Sequence, residues 1–260
     1  MKYVIYICIF FSLFSFACED IFIGAQPKFI EKSDASESLN IFGVIRPDSL
    51  YGKPASFINV SIMAPVINDT NESWLIKDAE INIHQIDLGQ FVDTFNFHYD
   101  TNQLGQEQYL NYDFHPHALN TYYITCYKQG FDTIKGYVRI PGKADVVDLE
   151  FSKGSLTISI NNNPDIKLYD LYFFNEEGEQ INKSPVNILS NPDAEVLSII
   201  VETGIKPAYI EIYSFDENLA AYYGLTNVFV KPNTYREPFS TVQNGFGCIG
   251  AMNKLVVFPE

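Results

Sequence analysis

The sequence lacks the short motifs that mark the common catalytic sites. It contains no Gly-x-Ser-x-Gly nucleophile elbow, no His-Glu-x-x-His helix and no phosphate-binding P-loop. Carboxylate pairs are plentiful because the chain is acidic, and none can be assigned as acid and base without a visible cleft. We therefore expect no catalytic residue, cofactor or metal. A hydrolase with an unrecognised site is the alternative.

Basic residues are scarce. The chain has 17 Lys and Arg against 32 Asp and Glu, and removal of residues 1–17 would delete only Lys2, leaving 16 against 32 and a net charge of −16. Each phosphate contact requires a Lys or Arg, so this balance argues against nucleic acid and anionic lipid as partners.

Cysteine is also rare, with four residues in the chain. Cys18, Cys126 and Cys248 follow position 17. If Cys18 is modified, the other two can form at most one disulfide. Because they lie far apart in the sequence, we expect two buried free thiols, with one disulfide as the alternative.

The apolar run at residues 3–14 is shorter than the roughly 20 residues of a membrane-spanning helix. With Lys2 before it and Ala17-Cys18 after it, the run predicts a secretory signal peptide over residues 1–17. The ending looks like a bacterial lipoprotein leader, in which cleavage between Ala17 and Cys18 frees Cys18 to carry lipid. Glu19-Asp20 resembles the acidic signal that sends lipoproteins of Bacteroidota-type bacteria to the outer face of the outer membrane. A plain signal peptide with an incidental cysteine is the alternative.

The rest of the chain predicts a mainly β fold, with two β-sandwich modules of immunoglobulin or transthyretin type. Aromatic residues make up 15% of the chain, and short alternating runs are separated by turn residues. Residues 18–38 are polar and predict a tether. Pro141-Gly142 separates an N-terminal module, 39–142, from a C-terminal module, 143–260. Strands are expected at 39–45, 57–63, 79–84, 91–97, 121–127 and 133–140, then at 146–151, 155–160, 168–174, 195–201, 209–213 and 255–258.

One short helix is predicted in the second module. Ser214 and Glu217 have the spacing of a capping box, and Gly224 can take the left-handed position that closes a helix.

Three segments resemble the domain of unknown function 4249 family of Bacteroidota lipoproteins. Residues 39–45 (LNIFGVI) are similar to its apolar strand with a central glycine, and residues 76–83 (IKDAEINI) to its Ala-x-Val-x-Ile strand. Residues 238–251 (PFSTVQNGFGCIGA) are similar to its glycine-rich closing segment. The resemblance covers roughly 39–258 and implies paired β-sandwiches, often encoded beside TonB-dependent outer-membrane transporters. It supplies no active residues.

Several motifs have both a functional and a structural interpretation. Residues 245–250 spell G-x-G-x-x-G, but the following residues predict a strand where a dinucleotide site needs a helix, so we expect an Asn-Gly turn and close backbone packing. His115 and His117 could contribute to a metal site, although a solvent-exposed loop is favoured. Residues 68–72 could hold calcium, but their spacing favours a solvated turn. Asp48-Ser49-Leu50 and Asp132-Thr133-Ile134 resemble Bacteroidota O-glycosylation sites.

These features together predict a non-enzymatic, surface-exposed outer-membrane lipoprotein that assists a TonB-dependent nutrient transporter. The alternative is a free-standing glycan- or peptide-binding lipoprotein. Tyr109, Tyr112 and Phe114 lie close together in a predicted loop and are its candidate stacking residues. Packing of these three rings in the core is the structural interpretation.

Overall fold

The computed structural model describes residues 38–63, 75–182, 186–191, 193–226 and 240–259. The predicted signal peptide, Ala17, Cys18 and the tether up to residue 37 lie outside the described residues. So do the candidate calcium turn at 68–72 and the first two residues of the glycine-rich segment.

Each of the twelve predicted strands overlaps a strand of the structure, and the mainly β class is confirmed. Those expected at 57–63, 121–127 and 168–174 have the predicted bounds. The strands are β1 (Ser38–Ile45), β2 (Ser49–Leu50), β3 (Lys53–Pro54), β4 (Phe57–Met63), β5 (Glu80–Asp87), β6 (Gln90–Thr101), β7 (Glu107–Leu110), β8 (Thr121–Tyr127), β9 (Ile134–Arg139), β10 (Asp145–Ser152), β11 (Ser155–Asn161), β12 (Leu168–Phe174), β13 (Val186–Leu189), β14 (Val196–Glu202), β15 (Tyr209–Phe215) and β16 (Phe246–Val257), with helix α1 (Glu217–Thr226) between the last two.

The strands form large sheets consistent with a β-sandwich. Eleven of them pair in the order β13-β12-β15-β16-β1-β4-β7-β6-β5-β8-β9, and β10, β11 and β14 form a separate sheet. Buried side chains gather in a first cluster around β1, β4–β9 and the first half of β16, and in a second around β11, β12, β14 and β15. Because one sheet runs past both clusters, the division into two modules at Gly142 stays a prediction.

Strand β16 joins the two halves of the large sheet. Residues 246–251 pair in parallel with β1, and residues 252–257 pair antiparallel with β15. Only residues 255–258 were expected as a strand, so β16 is longer and begins earlier than predicted. It contributes Ile249 to the first cluster, Leu255 and Val257 to the second, and Cys248 to a third cluster shared with β12, β15 and α1.

The glycines at the start of β16 allow this close pairing, as the structural interpretation of the motif predicted. Gly247 has φ of 109°, and a Cβ atom there would lie 1.9 Å from the carbonyl oxygen of Ile41. A Cβ on Gly250 would lie 2.7 Å from the Cβ of Leu219 in α1. The segment continues as a strand, so it does not have the strand-loop-helix context of a dinucleotide site.

Helix α1 begins two residues later than the capping-box pattern predicted. Its N-cap is Asp216, whose Oδ1 accepts the backbone N–H of Leu219 at 2.9 Å. The predicted cap, Ser214, is instead buried within β15, where it pairs with Asn253 and Tyr169. The predicted end at Gly224 is also wrong, because the helix continues to Thr226.

Replacement of Gly247 by Ala should lower the free energy of unfolding by at least about 3 kcal/mol, because the new Cβ would overlap the Ile41 carbonyl. Gly89→Ala is the matched control. Gly89 also has positive φ, but a Cβ there meets no atom within 4 Å, so only about 1–2 kcal/mol of backbone strain is expected. Urea unfolding of both variants measures the difference. Equal losses would show that crowding at Gly247 is unimportant.

Asp216 should make stability depend on pH, because burial raises its pKa from 3.8 to about 7. Between about pH 4 and pH 7 the unfolded carboxyl ionises while the folded one keeps its proton, so this group lowers the free energy of unfolding as pH rises through that window. Asp216→Asn keeps an N-cap acceptor and removes the titrating carboxyl. It should therefore abolish this group's contribution to the dependence of the free energy of unfolding on pH, measured by urea unfolding at several pH values. The exposed Asp87→Asn should leave it unchanged. A wild-type slope in Asp216→Asn would assign the effect to another group.

Candidate functional site

The outward face of strands β13, β12, β15 and β16 carries tyrosine and acidic side chains beside helix α1. Because side chains alternate along a strand, β12 places Tyr169 and Leu171 in the second cluster and Asp170 and Tyr172 on the opposite face. There they help to line a cleft of about 330 Å³, which we call the tyrosine cleft. Its lining residues are Arg46, Asp170, Tyr172, Phe174, Gln180, Glu211, Tyr213, Phe215, Tyr223 and Met252.

The strand register sets one row of four side chains across this face. Asn187 of β13 is opposite Asp170 of β12, which is opposite Tyr213 of β15, which is opposite Lys254 of β16. Directly opposite residues in antiparallel strands have Cβ atoms about 5 Å apart, so their side chains interact. The row therefore places an amide, a carboxyl, a phenol and an ammonium group side by side across the sheet, in that order.

One half of the cleft is occupied by cations of the chain itself. The Tyr213 hydroxyl donates to Glu211 Oε2 at 2.7 Å, and Lys254 Nζ bonds the other oxygen of the same carboxylate. Lys254 Nζ lies 5.6 Å from the centre of the Tyr213 ring, and the guanidinium carbon of Arg46 lies 5.8 Å from it. Burial is the main cause that raises the pKa of Tyr213, and the hydrogen bond to Glu211 raises it further. Arg46 is paired with Asp48.

The other half of the cleft centres on the carboxyl of Asp170. This residue is only 5% exposed, and its Oδ1 accepts a hydrogen bond from the Asn187 amide. Burial raises the pKa of Asp170. Burial also raises the pKa of Tyr172 and Tyr223, and the nearby Asp170 carboxyl raises both further. The Tyr172 ring meets the Tyr213 ring edge to face at 5.5 Å, so the two halves are in contact.

A second surface lies on the outward face of β5, β6, β8 and β9, and we call it the aromatic patch. Phe91 and Tyr123 stack at 5.6 Å, and Tyr123 and Tyr137 lie 4.7 Å apart. His84 stacks on Phe91 at 4.6 Å. Phe91 is 59% exposed, Tyr137 is 56% exposed, and Leu88, in the hairpin turn beside Phe91, is 97% exposed. The patch consists of His84, Leu88, Phe91, Tyr123 and Tyr137.

The three candidate stacking residues do not form one exposed surface. Tyr109 lies in β7 rather than in a loop and is buried, and its hydroxyl accepts the Ala79 N–H at 2.8 Å and donates to the Ile76 carbonyl at 3.0 Å. Phe114 is fully buried in the first cluster. Neither ring has a face open to a ligand. Tyr112 is half-buried with Lys53 Nζ 4.4 Å from its ring centre, and ligand binding by Tyr112 stays a prediction.

The candidate metal-binding histidines and the candidate O-glycosylation residues lie at or near the surface. His115 and His117 are exposed on either side of the buried Pro116. Within the described residues, no group of three His, Cys, Asp or Glu side chains is arranged to hold a metal ion. Ser49 is exposed in β2, and Thr133 is half-buried just before β9, so glycosylation at these residues stays a prediction.

The tyrosine cleft was missed in the sequence analysis, although the residues of β12 contain an indication of it. The run at 168–174 reads LYDLYFF, with aromatic residues at both alternating sets of positions. A strand with one solvated face normally carries polar residues on it, so Tyr172 and Phe174 on the face of Asp170 indicate a further contact. What the sequence does not contain is the pairing that brings Tyr213 and Lys254 beside them.

No protein-family model matches this chain, and comparison with curated proteins finds no match. The resemblance to the domain of unknown function 4249 family therefore stays a prediction. Among the described residues, no helix is both long enough and apolar enough to cross a bilayer.

The two cysteines of the described residues are buried free thiols, as expected. Burial raises the pKa of Cys126 and of Cys248 to about 12, which keeps both protonated and poorly nucleophilic at neutral pH. Iodoacetamide should therefore leave both unlabelled in the folded protein and label both in guanidinium chloride. Peptide mass spectrometry resolves each site. Labelling of Cys248 in the folded protein would show that the third cluster opens readily.

Proposed function

We propose that this chain is a non-enzymatic, lipid-anchored protein of the outer membrane, facing outside the cell, that captures a ligand for a TonB-dependent nutrient transporter. The observation that carries the proposal is the tyrosine cleft, a depression in which five aromatic side chains meet two carboxyls and an arginine. Binding sites commonly combine apolar walls with a few convergent polar groups in this way.

The anchor is argued from the sequence. Ala17-Cys18 ends a leader of the lipoprotein type, and Glu19-Asp20 follows it. Each buried CH₂ group of an acyl chain contributes about 0.8 kcal/mol, so several chains on Cys18 hold the protein firmly at a membrane. The net charge of −16 suits attachment through acyl chains rather than through basic residues.

The partner is argued from the aromatic patch. The rings of Phe91, Tyr123 and Tyr137 lie in contact with one another, with Leu88 almost fully exposed nearby, and they form an exposed apolar surface. Aromatic residues are enriched where proteins contact each other. We assign this patch to the transporter and the tyrosine cleft to the ligand.

The second candidate function is a free-standing glycan- or peptide-binding lipoprotein. It is favoured by the same cleft, because aromatic rings beside carboxyl and amide groups suit either ligand, and it needs no partner at the aromatic patch. The two functions differ in whether a transporter is bound.

Affinity purification of the full-length protein from solubilised outer membranes should recover a β-barrel transporter. The double variant Phe91→Ser, Tyr137→Ser should reduce that recovery by at least about tenfold, because two exposed aromatic contacts are lost. The control is Ile200→Ser, which removes an even more exposed apolar side chain from β14 and should leave recovery unchanged.

Three outcomes contradict parts of the proposal. Recovery of no transporter with the wild-type protein supports the free-standing alternative. Equal recovery with the double variant removes the aromatic patch as the contact. Release of the protein into the periplasmic fraction, or an unacylated Cys18 in mass spectrometry, removes the anchor.

A further inference from the structure

The two halves of the tyrosine cleft have similar chemistry but different occupancy by cations. In one half, the Glu211 carboxylate and the Tyr213 ring hold Lys254 and, on the ring, Arg46. In the other half, the Asp170 carboxyl lies beside Tyr172 and Tyr223, and Arg46, which also acts on Tyr223, is paired with Asp48. No Lys or Arg among the described residues pairs with Asp170 within 4.0 Å.

The charges of the cleft therefore do not balance. Arg46 is paired with Asp48 and Lys254 with Glu211, which leaves Asp170 as a carboxyl without a cation. A buried carboxylate is costly unless it is paired, and the Asn187 amide satisfies only one of its oxygens. One additional positive charge would neutralise the cleft.

The surroundings of Asp170 also suit a cation. A tyrosine ring attracts a positive charge placed over its face within about 6 Å, as Tyr213 does with Lys254 and Arg46. Tyr172 lies on the same face of β12 as Asp170, and Tyr223 of α1 also lines the cleft. A charged group entering there would meet a carboxyl and aromatic side chains together.

We propose that the Asp170 half of the tyrosine cleft binds the protonated amine of a ligand, an alkylammonium group such as that of a lysine side chain. The ammonium donates hydrogen bonds to the Asp170 carboxylate and lies against Tyr172. The inference rests on the proposed function because it names the ligand class of the same cleft. It does not depend on the transporter or the lipid anchor.

A neutral sugar fits the open half less well. Its hydroxyl groups can hydrogen-bond Asp170, but they leave the carboxyl without a compensating charge. An ammonium group both donates hydrogen bonds to Asp170 and supplies the compensating charge. That charge favours the ionised carboxyl and so opposes the effect of burial, which raises its pKa.

The test uses two peptides that differ by one charge, blocked at both ends: acetyl-Gly-Lys-Gly-amide and the same peptide with its lysine side chain acetylated. Calorimetric titration of the full-length wild-type protein should give binding to the first peptide, and side-chain acetylation should weaken it by at least about tenfold. Asp170→Asn should weaken binding of the lysine peptide to a similar extent. The control Glu177→Gln, which removes an exposed carboxylate in the turn after β12, should change it less than about twofold.

The wild-type comparison of the two peptides needs no variant, so it decides the matter even if Asp170→Asn fails to fold. Equal binding of both peptides, absence of binding to either, or binding of maltose in their place would overturn the proposal. Full affinity in a folded Asp170→Asn protein would also overturn it. None of these results changes recovery of the transporter, so failure of this inference is distinguishable from failure of the proposed function.

Discussion

Pairing of β16 with both β1 and β15 is the contact on which the rest of the structure depends. Among the described residues, the last strand pairs beside the first, and Gly247 permits this because its missing side chain leaves room for the Ile41 carbonyl. Further along, the same strand carries Lys254 to the tyrosine cleft and Leu255 to the second cluster. Without β16, β1 and β15 would expose unpaired backbone groups in the middle of the large sheet.

The tyrosine cleft follows from this arrangement and from strand alternation. Residues on one face of β12 and β15 fill the second cluster, and their neighbours Asp170, Tyr172 and Tyr213 are left on the other face beside α1. Helix α1 is held there by the Asp216 cap and by its contact with Gly250. A site that lies on strands rather than on loops keeps its side chains in fixed register.

Alternation predicted most strands from the sequence because its period of two is a local property. The strands it missed, β2, β3, β7 and β13, are two to four residues long and too short to show a period. The capping box was misplaced because Ser214 and Asp216 are both good cap residues, and only pairing of Ser214 within β15 decides between them. The full lining of the tyrosine cleft could not be derived, since it joins residues from Arg46 to Met252 through tertiary contacts that no local pattern encodes.

The position of β1 has a mechanical consequence. This strand begins at Ser38 and is hydrogen-bonded along its length to β4 on one side and to β16 on the other. A pull on Ser38 directed along β1 would therefore load two ladders in shear at once, rather than peeling an edge strand one bond at a time. In the proposed lipid-anchored protein, such a pull would enter the large sheet at an interior strand rather than at an edge.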